Sequence, residues 1–327
     1  KKVGRKHCIA VTNGTAAIDV AVESIGIKKG DEVIISTFTI ISCVLQIVRV
    51  GAKPVLVDVD PLTMNMDVSQ VKSKINSRTK AIMAVHIYGL PVDLNPLLDL
   101  CKKYKLKLIE DAAELIGQTY NGKPCGSFGE ISTVSFYSNK QRMTSEGQRL
   151  LTENDKLTKK CRELRNLCFI EKKRFVHYNF GWNLRMTNLQ AALGIAQLEK
   201  LDFFIKKKKW IGKQYNKLLA DVDSIKLPQK STDYADNVYW VYGILLKSYS
   251  KLNAKSAIQK LNKLGVGCRP FFYPMHKQPV LKKLGFYKGE KYPNSERISK
   301  FGFYLPSGLG LNLSDIKNVS KAIKKIF

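Results

Sequence analysis

The chain has 327 residues and 44% hydrophobic content, enough to bury a large core in one large domain with a smaller second one rather than a string of modules. No apolar run approaches a membrane span, the opening Lys1-Lys2-Val3-Gly4-Arg5 is not followed by a signal-type apolar core, and seven cysteines without a C-x-x-C pair argue against a disulfide framework or structural zinc. The net charge of +28 suggests an anionic partner, but the lysines are scattered along helices (Lys102-Lys103, Lys159-Lys160, Lys206 to Lys209, Lys324-Lys325) and read as solvated faces, without a nucleic-acid-binding signature.

Along the chain, helix and strand signals alternate in short order. Ala16 to Ile25 has helical periodicity, and Glu32 to Ile35 reads as a strand after the turn Lys29-Gly30-Asp31. Helices are expected over Ile41 to Val50, Val68 to Ile75 and Leu94 to Tyr104, and strands over Pro54 to Asp58, Ala81 to Val85, Leu106 to Ile109 and Ile131 to Tyr137. Apolar strands separated by amphipathic helices imply an α/β fold, a mainly parallel sheet with helices on both faces. Ligands bind such sheets outside the carboxyl ends of the strands, where Asp58, His86 and Asp111 fall. Helical patterns follow over Lys156 to Leu167 and Asn188 to Leu219. Then Val238 to Leu246 and Gly267 to Arg269 read as strands, and Ala254 to Leu264, Ser295 to Lys300 and Ser314 to Phe327 as helices. This pattern divides the chain into a large α/β domain over 1–224 and a smaller C-terminal α+β domain over 225–327.

Two strand ends carry the chemistry. Ile131 to Tyr137 delivers Lys140, and Leu106 to Ile109 stops at Glu110-Asp111. An amine and a carboxylate at such places meet the needs of pyridoxal phosphate. The amine forms a Schiff base with its aldehyde, and the carboxylate keeps the pyridine nitrogen protonated so that the ring draws electrons. The plain alternatives are one surface lysine among 55 Lys+Arg and a helix N-cap at Asp111.

Five segments in order enlarge the pattern: Asn13-Gly14-Thr15-Ala16-Ala17, Val85-His86-Ile87-Tyr88-Gly89, Ile109-Glu110-Asp111-Ala112-Ala113-Glu114, Ser135-Phe136-Tyr137-Ser138-Asn139-Lys140 and Gly181-Trp182-Asn183-Leu184-Arg185-Met186-Thr187-Asn188. With Arg269 to His276 and Leu305-Pro306-Ser307, they make the chain resemble the DegT/DnrJ/EryC1/StrS family of pyridoxal-phosphate-dependent sugar aminotransferases. The flavour is that of the perosamine-synthase-like enzymes, which aminate a 4-keto-6-deoxy sugar nucleotide. The resemblance implies a fold-type-I, aspartate aminotransferase-like architecture and a cytoplasmic homodimer with L-glutamate as amino donor. It makes Lys140 the Schiff-base residue and proton carrier, and Asp111 the partner of the pyridine nitrogen. Gly14 and Thr15 open a helix whose free N–H groups suit a phosphate, although a threonine there is also a common N-cap. The resemblance gives them the cofactor phosphate, with Ser135 as a further contact and Asn183 reaching in from the neighbouring subunit. Glu114 would touch the phenolic oxygen and His86 would lie near the cofactor. His177, Arg269, His276 and Glu146 would face the substrate. No cluster has metal-ligand spacing.

Three departures accompany the resemblance. Two glycines expected after the lysine are Ser145 and Gln148, so the loop must differ or be strained. Ile40 occupies the position that often stacks an aromatic ring on the cofactor, and only twelve residues precede Asn13, which reads as a truncated N-terminal segment. These departures keep two other functions in view: a weakly catalytic, regulatory pyridoxal phosphate binder, and a basic nucleic-acid or anion binder. A dehydratase of the same family is disfavoured, because it would carry histidine in place of Lys140.

Overall fold

The computed structural model describes residues 3–115, 117–135, 147–169, 173 and 175–327. A seven-stranded sheet forms its centre, built from β1 (His7–Val11), β2 (Glu32–Ser36), β3 (Lys53–Val57), β4 (Thr79–Val85) and β5 (Lys107–Asp111). After a small hairpin of β6 (Thr119–Tyr120) and β7 (Lys123–Pro124), β8 (Ile131–Ser135) and β9 (Gln148–Thr152) complete it. The strand order is β1-β9-β8-β5-β4-β2-β3. The pairs from β3 through β2, β4 and β5 to β8 are parallel, whereas β9 runs antiparallel to both β8 and β1.

The period-2 pleat divides each central strand between two cores. Ile35, Met83 and Ile109 pack on one face with α1 (Gly14–Ser24) and α2 (Ser42–Arg49), while Ile34, Ile82 and Leu108 pack on the other. Beyond the short α3 (Val71–Lys74), α4 (Leu94–Tyr104) lays Leu94 and Leu97 on that second face. Fully burying each such side chain contributes about 1.5–3 kcal/mol, so both faces must be covered for the sheet to persist. The expected helix over Val68 to Ile75 is a 3-10 turn, Val68–Gln70, capped by Asp67 and running into α3.

After α5 (Asp155–Leu164), the expected single helical run over Asn188 to Leu219 is two helices, α6 (Asn188–Glu199) and α7 (Leu201–Leu218), meeting at Lys200. A second sheet has the order β10-β13-β15-β14, from β10 (Ile225–Lys226), β13 (Tyr242–Leu246), β14 (Arg269–Pro270) and β15 (Gly302–Leu305), with a hairpin of β11 (Ser231–Thr232) and β12 (Ala235–Asp236) outside it. The strand expected from Val238 begins only at Tyr242, because Tyr239 adopts φ 50° and breaks the extended run. Pro270, which has no N–H to donate, lies in the edge strand β14, where proline is tolerated. Ile211 and Tyr215 of α7 pack on this sheet with Ala257 and Leu261 of α8 (Ala254–Lys263). Beyond α9 (Pro279–Lys283) and α10 (Pro293–Phe301), α11 (Leu313–Ile326) adds Ile316 and Ile323 to the same core.

Two contacts fix this smaller sheet over the carboxyl edge of the large one. Asp58, just past β3, accepts the N–H groups of Asn294 and Ser295 at 2.9 Å each, a carboxylate on the first turn of α10. Gly89, at φ 110°, runs so close to the chain at 237–240 that a Cβ there would stand 2.6 Å from Asn237 Oδ1 and 2.8 Å from the Trp240 nitrogen. Among the described residues no helix is long and apolar enough to cross a membrane.

Candidate active site

Between the carboxyl ends of β2, β4, β5 and β8 and the overhanging smaller sheet lies a cavity of about 580 Å³. Its floor includes Asp111 and Ser135, one wall is the first turn of α1, and the opposite wall is aromatic: Tyr88, Trp240, Phe272 and Tyr304. The ring of Tyr88 lies 5.4 Å from that of Phe272 and 6.1 Å from that of Trp240. This wall excludes water on the side contributed by the smaller sheet.

The acidic pair at the end of β5 divides by the pleat. Asp111 turns to the cavity, where Oδ1 accepts the Ala113 N–H at 3.0 Å and the Thr133 hydroxyl at 2.8 Å. Among the described residues its Oδ2 takes only the Cys43 thiol, at 3.4 Å. A thiol is a weak donor, so Oδ2 is the oxygen able to receive a stronger one. Burial, with Asp111 adding to it, pushes the Cys43 thiol well above its ordinary range, so it stays protonated and donating. Glu110 faces the other way and is fully buried. It accepts the N–H groups of Gly126, Phe128 and Gly129, the Ser132 hydroxyl and the His86 ring. Burial alone would raise its pKa, but the hydrogen bond from His86 and the backbone donors of Gly126 and Phe128 bring it below the usual carboxylate range. It ties down the loop before β8.

His86 is thereby committed. Its Nδ1 accepts the Val92 N–H at 3.0 Å, which leaves the proton on Nε2 to donate to Glu110 Oε1 at 3.2 Å. The residue borders the cavity, but both ring nitrogens are already used by the fold.

At the other end, Asn13 rather than Thr15 caps α1, its Oδ1 accepting the Ala16 N–H at 2.9 Å. Thr15 therefore keeps its hydroxyl for other work. The N–H groups of Gly14 and Thr15 belong to the first turn and have no intrahelical acceptor. Ser135 and Gln148 sit opposite each other in register across β8 and β9 and both border this end. Gln148 has an ordinary strand backbone, so the strain expected from losing a glycine there is absent, whereas Ser145 lies outside the described residues. Glu114 accepts the Tyr88 N–H at 2.9 Å, and Ile40 lies half exposed at the mouth.

The cavity thus gathers Gly14, Thr15, Ile40, His86, Asp111, Glu114 and Ser135. Lys140 and Glu146 lie outside the described residues. Arg269 adjoins the rim: its neighbour Pro270 and its cross-strand partner Tyr304 both line the cavity. His276 does not reach it. That ring is buried beneath the smaller sheet, with Nδ1 2.8 Å from the Thr37 hydroxyl and Nε2 3.0 Å from Glu296. Its role is to join the end of β2 to α10. His177 is exposed on a loop, 2.8 Å from the Leu167 carbonyl, and Asn183 faces solvent beside it in the 166–183 bridge. Asp19 and Trp240 also line the cavity, although the sequence singled out neither. Asp19 lies one helical turn beyond Thr15, a spacing that could have flagged it. Trp240 carried no signal, since the smaller sheet brings it over.

The donors suit pyridoxal phosphate. An anion fits at the first turn of α1, and a protonated ring nitrogen fits at Asp111 Oδ2. Among the described residues, no group of three or more His, Cys, Asp or Glu converges as a metal site.

Comparison with known proteins agrees with this geometry. The model of the DegT/DnrJ/EryC1/StrS aminotransferase family matches residues 1–324. The chain is 39% identical over 322 residues to the GDP-perosamine synthase of Vibrio cholerae, covering 98% of this chain and 87% of that one. It is 37% identical over 323 residues to the GDP-perosamine synthase of Caulobacter vibrioides, covering 99% and 86%. The crystal structure of an aminotransferase from Psychrobacter cryohalolentis superposes with a TM-score of 0.92 at 27% identity, over 99% of this chain and 88% of that one.

Proposed function

This chain belongs to the DegT/DnrJ/EryC1/StrS aminotransferase family of pyridoxal-phosphate-dependent sugar aminotransferases, and from that premise we propose that it converts a nucleotide-linked 4-keto-6-deoxy sugar to the 4-amino sugar with L-glutamate as donor. The observation that carries the reading is Asp111, buried at the cavity floor with Oδ2 held, among the described residues, only by a thiol. Relatives named GDP-perosamine synthase support the choice of substrate.

When bound, pyridoxal phosphate supplies an aldehyde that takes up the amino group and a ring that draws off electrons. The protein's part is to hold and to move protons. Gly14 and Thr15 N–H groups and the Ser135 hydroxyl hold the phosphate. Asp111 keeps the ring nitrogen protonated, and Glu114 faces the phenolic oxygen. Lys140, assigned by the family motif, carries the proton taken from the donor's α-carbon. Tyr88, Trp240 and Phe272 keep water from that transfer. Arg269, His177 and Glu146 are proposed for the substrate side, as is His276 through its hold on the neighbouring loop. In this reading, residues 1–224 carry the cofactor and 225–327 close over it.

A homodimer is part of the proposal. Asn183 faces solvent on a surface where Phe180 is 98% exposed, Leu189 80% and Phe203 65%. Apolar side chains so exposed favour cover by a second copy, whose Asn183 would then reach the phosphate. The seven free cysteines support a reducing, cytoplasmic setting.

The test is product mass spectrometry with a panel of keto-sugar nucleotides and glutamate. A 4-amino product formed by the wild type and lost in Lys140→Ala is expected. Undiminished amination by Lys140→Ala would refute the mechanism, and exclusive 3-amination would refute the substrate.

A further inference from the structure

We infer that Gln148 is a cofactor-binding residue, its carboxamide donating a hydrogen bond to the phosphate of pyridoxal phosphate. Gln148 is fully buried, yet among the described residues neither its Oε1 nor its Nε2 has a hydrogen-bond partner. A carboxamide unpaired at both ends is costly, and native proteins rarely keep one without a use. Its position states the use. It lines the cavity, it is paired across the sheet with Ser135, and its Oε1 lies 3.4 Å from where a Cβ on Gly14 would stand. The amide therefore lies against the first turn of α1, whose free N–H groups of Gly14 and Thr15 attract an anion.

The oxygen is the end nearest Gly14, but among the described residues neither end is held. A half-turn about the terminal bond exchanges the two atoms and puts the –NH₂ beside the anion site. An oxyanion is the ligand chemistry that suits it, because neighbouring backbone donors and a turned amide then converge on one acceptor. The residue stands where the family motif usually carries glycine, which has no side-chain donor. The inference rests on the cofactor reading above.

The experiment compares the apoprotein with Gln148→Met, which keeps the volume and removes the donor, and Gln148→Gly, which removes both. Equilibrium binding is measured for pyridoxal phosphate and for phosphate-free pyridoxal, with thermal stabilisation by inorganic phosphate alongside. Gln148→Met should weaken pyridoxal phosphate roughly tenfold to a hundredfold, the span of one hydrogen bond to a charged group, and leave pyridoxal unchanged. Phosphate stabilisation should fall in parallel, while the ligand-free variant melts higher than wild type because the unpaired amide is gone. Equal loss for both ligands, no loss for either, or tighter binding by Gln148→Gly would overturn the inference. Failure of the wild type to bind pyridoxal phosphate would overturn the cofactor reading and the inference with it.

Discussion

Replacing Asp19 by asparagine tests the electrostatics of the cavity wall directly. Asp19 is 9% exposed, and its Oδ1 is buried without a hydrogen-bond partner among the described residues. Burial pushes its carboxyl from 3.8 up to about 6, against the pull of Arg49 and with a further push from Glu23. A shift of about two units corresponds to about 3 kcal/mol at 1.36 kcal/mol per unit, and solvent at the cavity mouth reduces this to roughly 1–2 kcal/mol. The sign follows from proton counting. Between pH ~4 and ~6 the folded protein binds the proton that the unfolded chain has released, so stability falls as pH rises through that window. Above it the penalty is constant, and below pH ~4 it vanishes. Asp19→Asn should therefore be more stable than wild type by about 1–2 kcal/mol at pH 8, with the advantage shrinking toward acid. Urea denaturation of both apoproteins from pH 5 to 8, with Arg49 intact, gives the difference. An advantage independent of pH, or a less stable variant at pH 8, would refute the reasoning.

Asp111→Asn leaves the Ala113 and Thr133 hydrogen bonds a neutral acceptor but no charge for a ring nitrogen. Turnover should fall about a hundredfold or more, with far-UV circular dichroism unchanged. Gly89→Ala sets a methyl 2.6 Å from Asn237 Oδ1 at φ 110°, which should cost about 2–5 kcal/mol, read as a lowered melting temperature. Lys208 donates to the carbonyls of Trp240 at 2.8 Å and Ser307 at 2.6 Å. Lys208→Met strands both acceptors, and denaturant midpoints should show a loss of about 1–3 kcal/mol per group. Burial lowers the Lys208 amine from 10.5 to about 8, so the unfolded chain holds the extra proton between those values. Wild-type stability should then rise from pH 8 to 10.5, a rise that Lys208→Met lacks.

Lys208 also shows where a one-dimensional reading stops. The run Lys206 to Lys209 has the look of a solvated helix face, and position 208 is nonetheless 5% exposed. Its helix, α7, leaves the large sheet and packs on the smaller one, so its inner face is set by a partner distant in the chain. The histidines teach the same lesson. His86 and His276 fall in motifs, yet each ring is spent on holding two segments together, by Glu110 and Val92 in one case and by Thr37 and Glu296 in the other. The strands β1, β9 and β15 passed unnoticed, two of them in the antiparallel margin of the large sheet and one in the smaller sheet. In short segments such as these, alternation between two cores is weak.

Local periodicity alone determined the parallel strands β2 to β5, the helices α2 and α4 between them and the edge where the cavity lies, because side-chain period and backbone geometry are properties of neighbouring residues. The motifs likewise pointed to Gly14, Thr15, Asp111 and Ser135, which the fold brings to one cavity. What Glu110 does beside Asp111 was decided by the tertiary structure: the pleat sends the two acids to opposite faces, Asp111 to the cavity and Glu110 to the loop before β8. It also decided that Trp240 roofs the site and that Gln148 faces the first turn of α1. Both follow from pairings between segments more than a hundred residues apart in the chain, which no local pattern encodes.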